Sequence, residues 1–280
     1  MTPLELLSAP HPKGVFHGVP AETYFASPGV SNSMLKGYAE DPLDFLYALN
    51  SPPAPASEAQ MVGTVAHRMI LEGQLGIPPG FAVKPEGMSF ATKDGKAWRE
   101  ANAGAQIITQ EKWDNCRGMA EAVANDGDCA LFLRSGKPEA AIYAPDEKTG
   151  LTMRCRSDFL PDDQDTRFDL KTAESASKAE FARAIGKFRY HYQAAWNLAV
   201  EEAATGVRPK VWAWIVVKSA PPFQRGIYFA SPADIEAGHK ATRFYFEHLA
   251  AALKSGKFVS TASKFEFIER PQYFRREDIS

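Results

Sequence analysis

The chain has 280 residues, of which 45% are hydrophobic and 24% charged. That is ordinary globular composition, and it excludes a disordered chain, a collagen-like repeat and a coiled coil. Lys and Arg number 32 against 34 Asp and Glu, a net charge of −2. Bulk charge therefore does not coat nucleic acid, and any basic groove must be local.

No run reaches the ~18 apolar residues of a membrane span. The longest, Val211 to Val217, is strand-sized, so no membrane partner is expected. The N-terminus has no basic region followed by an apolar core, so no secretory signal is expected. Cys116, Cys129 and Cys155 are odd in number and widely spaced. They suggest neither a disulfide framework nor a zinc or iron–sulfur site, and the expected compartment is a reducing cytoplasm.

Residues 1–30, rich in Pro and Gly, read as an extended N-terminal arm, followed by one domain over 31–280 with its core at about 139–230. Asp41-Pro42 is an N-cap with proline at the first helical position, and Leu43, Leu46, Tyr47 and Leu49 give that helix an apolar side. Residues 50–56 form a linker. Ser57 with Gln60 is a capping box for a helix over roughly 58–73, striped by Met61, Val62, Val65, Met69 and Ile70. Within it Gly63 would let another backbone approach closely. Residues 78–105 lack clear periodicity and carry Lys84, Lys93, Lys96 and Arg99. They predict a mobile loop running into a helix at about 108–125.

From Glu139 the pattern changes to strands. Residues 139–144 alternate, 151–160 alternate, and TRFDLKT follows over 166–172. A single long helix is expected over 177–204, with Phe181, Ile185, Phe188, Tyr192, Ala195 and Ala199 as its core stripe. Val211 to Val217 predicts a central strand buried on both faces. Gln224 to Ala230 is another strand, 232–254 a final helix and 264–276 an aromatic-rich tail. The order predicts an α/β or α+β fold with a mixed central β-sheet flanked by helices.

The chemistry concentrates between Glu139 and Gln193. Asp158 ends one strand, and Asp169-Leu170-Lys171 sits on the next. If the two strands pair as a hairpin, two carboxylates and a lysine converge on one face. Close carboxylates resist joint ionisation unless a cation joins them. Oxygen ligands select a hard ion such as Mg²⁺ or Mn²⁺. A lysine beside them can hold an attacking water or stabilise charge building on phosphate. Asp-x-Lys on a strand also reads simply as a solvent-facing charge pair, and His67 on its helix as a buried structural histidine. Tyr190, Gln193 and Asn197 share one helix face. Arg154 and Arg156 share the strand face of Asp158. They could meet backbone phosphates or pair with Asp162 or Asp163.

The ordered set SNSMLKGYAEDPLDFLYAL, GTVAH, PEAAIY, MRCRSDFL, FDLKT and YHYQ resembles the PD-(D/E)XK nuclease superfamily, more closely its RecB-type and RecE (exonuclease VIII) branch. The resemblance spans roughly residues 17 to 215. It implies a restriction-endonuclease-like core and a divalent-metal phosphodiesterase acting on DNA. Carried over by motif, His67 is the metal-proximal histidine, Asp158 and Asp169 the acidic ligands, and Lys171 the catalytic lysine. Glu139 is the acidic residue entering the strand meander, and Gln193 the glutamine of the following helix. A backbone carbonyl near Leu170 completes the implied metal ligands, and Tyr190 joins Arg154 and Arg156 as a candidate DNA contact. The sequence departs at Ser157, where proline is expected, and at Asn197, where tyrosine is expected.

The resemblance implies a Mg²⁺-dependent exonuclease, with Mn²⁺ able to substitute, that digests duplex DNA ends and leaves single strands for recombination. By analogy it also implies a single-strand annealing partner, a phage setting and a ring-shaped homo-oligomer. The alternatives are a structure-specific endonuclease, a RecB-like module serving a separate helicase chain, since no Walker motif is present, and a non-catalytic DNA-binding protein.

Overall fold

A computed structural model of the chain describes residues 2–262 and 267–269. The aromatic-rich tail expected over 264–276 falls outside the described residues except at 267–269. In chain order the elements are α1 (Pro3–Ser8), β1 (Gly14–Phe16), α2 (Ala21–Phe25), α3 (Asn32–Glu40), α4 (Pro42–Leu49) and α5 (Glu58–Leu71). Then come β2 (Phe81–Lys84), α6 (Lys93–Ala101), β3 (Gln106–Thr109), α7 (Gln110–Ala124) and α8 (Gly127–Phe132). The second half holds β4 (Gly136–Pro145), β5 (Thr152–Pro161), β6 (Thr166–Ala173), α9 (Lys178–Phe188) and α10 (Tyr190–Thr205). It closes with β7 (Val211–Lys218), β8 (Arg225–Phe229) and α11 (Pro232–Ser255). No described helix is long and apolar enough to cross a membrane.

The helix starts follow their capping chemistry. Asp41 accepts from the backbone N–H groups of Leu43 and Asp44, and Ser57 and Gln60 form the reciprocal capping box of α5. Strands are distributed over three small sheets, β1-β4-β5, β2-β3 and β6-β7-β8. The mixed character lies in the last, where β6 runs parallel and β8 antiparallel to β7. β7 is its central strand. Trp212, Trp214 and Val216 pack with Phe181 and Leu198 of α9 and α10, whereas Ala213, Ile215 and Val217 pack with Val65, Met69 and Met119 of α5 and α7. Burial on both faces explains why this strand is apolar throughout rather than alternating. A second core joins α3, α10 and α11 to β4 and β5 through Leu35, Ile142, Trp196 and Phe246.

Three expectations are corrected. Residues 2–30 are not one extended arm: α1, β1 and α2 form there, β1 pairs with β4, Val30 bridges Met153, and Leu7 and Tyr24 are buried. The Pro and Gly content reads as an arm, but the contacts that order it come from β4 and β5, more than a hundred residues away. Residues 78–105 are not one mobile loop, because β2 and α6 form there and β2 pairs in parallel with β3, which follows directly. Strands of four residues are too short to show a period. Finally, the helix expected over 177–204 is two helices. Arg189 adopts φ 54°, ψ 45°, a left-handed conformation that ends α9 and starts α10.

The close backbone approach expected at Gly63 occurs elsewhere. A Cβ at Gly63 would meet only Thr172 Oγ1, at an ordinary 3.7 Å. A Cβ at Gly238 of α11 would overlap the backbone carbonyl of His191 on α10, and a carbonyl in a helix cannot step aside as a side chain can. Gly63→Ala should therefore be neutral or slightly stabilising through helix propensity. Gly238→Ala should cost about 1–3 kcal/mol by overpacking. Thermal melts of the two variants check this; equal melting temperatures would mean that α10 and α11 are not packed this closely.

Candidate active site

Asp169 and Lys171 point from β6 into the same small space. Asp169 is only 3% exposed, and Lys171 Nζ lies 2.6 Å from its Oδ2. Gln193 of α10 links both: its Nε2 donates to Asp169 Oδ1 at 2.6 Å, and its Oε1 accepts from Lys171 Nζ at 3.0 Å. The ammonium also sits 4.6 Å from the centre of the Tyr190 ring. Burial pushes the Asp169 carboxyl up to about 6, with Lys171 pulling it down and Asp158 pushing it further up. Burial pulls the Lys171 ammonium down, but Asp169 and Asp158 outweigh it and hold the group above its ordinary range.

Asp158 reaches this space from β5. Its Oδ2 accepts from Leu170 N–H at 3.4 Å and lies 3.5 Å from His67 Nδ1, presented by α5. The expected hairpin pairing is corrected here. β5 pairs with β4 and β6 with β7, and among the described residues no ladder joins β5 to β6. The Asp158 side chain takes the Leu170 N–H that a ladder partner could have used. Leu170 itself is buried, and its contact at the site is through that N–H.

Glu139 lies one strand further out. The β4–β5 ladder pairs Pro138 with Phe159 and Ala140 with Ser157, passing over the step that holds Glu139 and Asp158. Glu139 has φ 57°, a left-handed conformation that costs a non-glycine residue about 1–3 kcal/mol. Its carboxylate pairs with Arg156 Nε at 2.5 Å. Burial, together with Asp158 and Glu72, raises its pKa against the pull of Arg156. Arg156 thus pairs with Glu139 rather than with Asp162 or Asp163.

Arg154 does not face the cleft. It is buried, and its Nη1 donates to the carbonyls of Tyr24 and Ser27 at 2.6 and 2.5 Å and to Ser27 Oγ at 2.8 Å. Its guanidinium holds the N-terminal segment, which removes it from the candidate phosphate contacts. Asn197, in place of the expected tyrosine, is buried below Gln193 and leaves the Gln193 bonds intact.

These groups line or adjoin a cleft of about 890 Å³. His67, Glu139, Arg156, Asp158 and Gln193 line it from the central and α5 sides; Tyr24, Asn32 and Lys36 line it from the N-terminal side. Lys36 was not a sequence candidate. Its pKa is lowered by burial and by the Lys171 and Arg189 charges, so it belongs to the same electrostatic site. Only tertiary folding brings it there, and its spacing in α3 carries no signal of it.

Among the described residues, no three His, Cys, Asp or Glu side chains gather closely enough to hold a metal ion by themselves. Magnesium requires less, since it keeps several waters and uses one or two carboxylates. Asp158 and Asp169 offer that oxygen-only donor set. The raised Asp169 pKa marks a carboxylate whose ionisation an added cation would favour. The residues present therefore fit a hard divalent ion.

Residues 31–271 match the family model described as PDDEXK-like domain of unknown function (DUF3799), and the chain belongs to that family. Among solved structures it is similar to a crystal structure from Eubacterium rectale described as a "Putative exonuclease". The TM-score is 0.58 at 13% identity, covering 88% of this chain and 91% of that one. That likeness is one of fold. No curated protein matches the chain.

The Asp169 shift makes a claim about stability. Its folded pKa, about 6, lies above the ordinary 3.8, so the folded protein binds a proton more tightly than the unfolded chain. This contribution grows as pH falls from above 6 towards 4 and is complete below the unfolded value. In EDTA, the melting temperature of the wild type relative to Asp169→Asn should rise steadily from pH 7.5 to 4.5. A difference that stays flat, or falls, across that window would show that Asp169 is not held in a raised state.

Proposed function

We propose that this chain is a Mg²⁺-dependent DNA exonuclease that hydrolyses phosphodiester bonds from duplex ends and leaves a single strand. The observation that carries the reading is the buried Asp169–Lys171–Gln193 triangle with Asp158 and His67 beside it at one cleft. Surface charge pairs are rarely buried in this way, because taking both charges out of water costs several kcal/mol per ion. Family membership and the fold likeness to a structure described as an exonuclease support the same reading.

Asp158 and Asp169 would hold the divalent ion, with Mn²⁺ able to replace Mg²⁺. When bound, the ion supplies Lewis-acid charge at the scissile phosphate. Lys171, fixed by Asp169 and Gln193, orients the attacking water and meets the negative charge that builds on the phosphate oxygens. Gln193 holds the ammonium without adding a charge of its own. His67 sets the Asp158 carboxylate from the α5 side. Glu139 and Arg156 form a neutralised pair at the rim, where the guanidinium can exchange its carboxylate for a backbone phosphate. A single-strand annealing protein, a recombination role in phage and a ring-shaped homo-oligomer belong to the same reading through the family resemblance.

Lys171→Ala leaves both carboxylates in place. Single-turnover digestion of a linear duplex at saturating Mg²⁺ should slow about 10²–10³-fold, the usual loss for one preorganised group of this kind. Rates within about fivefold of wild type, less than 1 kcal/mol of barrier, would remove Lys171 from the chemistry. A covalently closed circle should survive in the same assay; its cleavage would make the protein an endonuclease.

Mg²⁺ should also raise the melting temperature of the wild type by linkage, and Asp169→Ala should abolish that shift. A full shift in the variant would place the ion elsewhere.

A further inference from the structure

A stack of aromatic rings runs from the sheet to the surface beside Lys171. Tyr228 stacks on Phe181 at 5.5 Å, Phe181 on Tyr190 at 5.9 Å and Tyr190 on Phe188 at 5.5 Å between centroids. The inner end is fixed, since Phe181 is buried and meets Trp214 edge-on. The outer end reaches solvent: Phe188 is 46% exposed, and apart from the Tyr190 stack its ring carries, among the described residues, only the flexible Lys187 ammonium over it. An isolated exposed aromatic is ordinary. This one is the last rung of a ladder whose preceding ring, Tyr190, lies under the Lys171 ammonium.

The surroundings of Phe188 are cationic. Lys187 Nζ stands 5.1 Å from the centre of its ring, and Lys36 Nζ donates to its backbone carbonyl at 3.2 Å. Arg189, the next residue, has Nη1 buried with no hydrogen-bond partner, and its guanidinium lies 5.7 Å from the Tyr192 ring. The left-handed turn at Arg189 creates the shelf. It breaks α9 from α10 and leaves the start of α10 with no side-chain cap. A flat apolar ring flanked by several cations fits a base together with its phosphates. Stacking accepts any base, and the cations follow the backbone. A folded protein partner would demand shape, and a lipid surface would demand a wider apolar face.

We infer that the Phe188 shelf, with Lys36, Lys187 and Arg189, binds single-stranded DNA leading to or from the cleft. This rests on the nuclease reading and extends it from the scissile bond to the strand beside it. The shelf lies on the Lys171 side of the site, so a strand bound there meets the cleft at the cation that faces the phosphate.

The test is fluorescence anisotropy in EDTA, where no cleavage occurs, with labelled oligo-dT and a blunt duplex of the same length. Phe188→Ala should weaken oligo-dT binding about 5- to 150-fold, the usual loss of one stacked base, and change duplex affinity less than about twofold. Phe188→Trp should restore the oligo-dT affinity. Lys187→Met should reduce the slope of log K against log salt by about 0.7, as for one lost single-strand phosphate contact. Circular dichroism melts of the variants guard against unfolding.

Wild-type oligo-dT binding unchanged by Phe188→Ala, equal losses for oligo-dT and duplex, or no oligo-dT binding at all would each overturn the shelf. Digestion of linear duplex by the wild type is scored separately. Cleavage without the Phe188 effect removes the shelf and leaves the nuclease. The Phe188 effect without cleavage removes the nuclease and leaves a single-strand binding surface.

Discussion

Asp169 sits on a strand shared between two helical layers, and almost none of its surface reaches water. A carboxylate there must either carry a proton or find a cation, and the protein supplies Lys171 two residues along the same strand. That choice constrains its neighbours. Lys171 is itself buried at its head, so it needs acceptors, and Gln193 serves both members of the pair at once. α10 must then cross β6 at the height that brings Gln193 over the pair. Parallel pairing of β6 with β7 fixes this height: Asp169 lies level with Trp214 and Lys171 with Val216. The same Trp214 and Val216 belong to the core on which α9 and α10 rest. The chemistry and the packing therefore share one register, and a slip of one residue would turn Asp169 and Lys171 to the other face.

How much of this was legible in the sequence depends on the range of the interaction. Capping at Asp41 and Ser57 is local, and the structure repeats it residue for residue. The Val211 to Val217 run announces a strand covered on both faces, because only such a strand tolerates unbroken apolar character. The acidic pair and the lysine were legible as a motif. The manner of their meeting was not. Alternation suggests a hairpin, but a side chain, Asp158, takes the place of backbone pairing at Leu170. Likewise, a helical stripe through 177–204 is real on both sides of Arg189, and nothing in a 3.6-residue period reveals one left-handed residue. Arg154 misleads most. On an alternating strand it looks like a free cation, whereas its partners are carbonyls of Tyr24 and Ser27, a segment with too little periodicity to be placed.

The cleft has two electrical sides, set by different parts of the chain. On one side stand Asp158, Glu139 and Glu72, close enough that Asp158 and Glu72 each raise the Glu139 pKa, with His67 and Arg156 tempering them. On the other stand Lys171, Lys36 and Arg189, close enough that Lys171 and Arg189 add to burial in lowering the pKa of the Lys36 ammonium. Asp169 lies at the boundary, paired to the lysine and pushed up by Asp158. Neither side is wholly of one sign, since Arg156 pairs with Glu139 and Lys171 with Asp169. The separation is a product of the fold. The acidic side is built by β4, β5 and α5, and the basic side by β6, α3 and the α9–α10 break. The left-handed backbones at Glu139 and Arg189 stand one on each side. Strained residues of this kind persist where surrounding structure holds them. Here Glu139 lines the cleft beside Arg156, and Arg189 marks the break between α9 and α10.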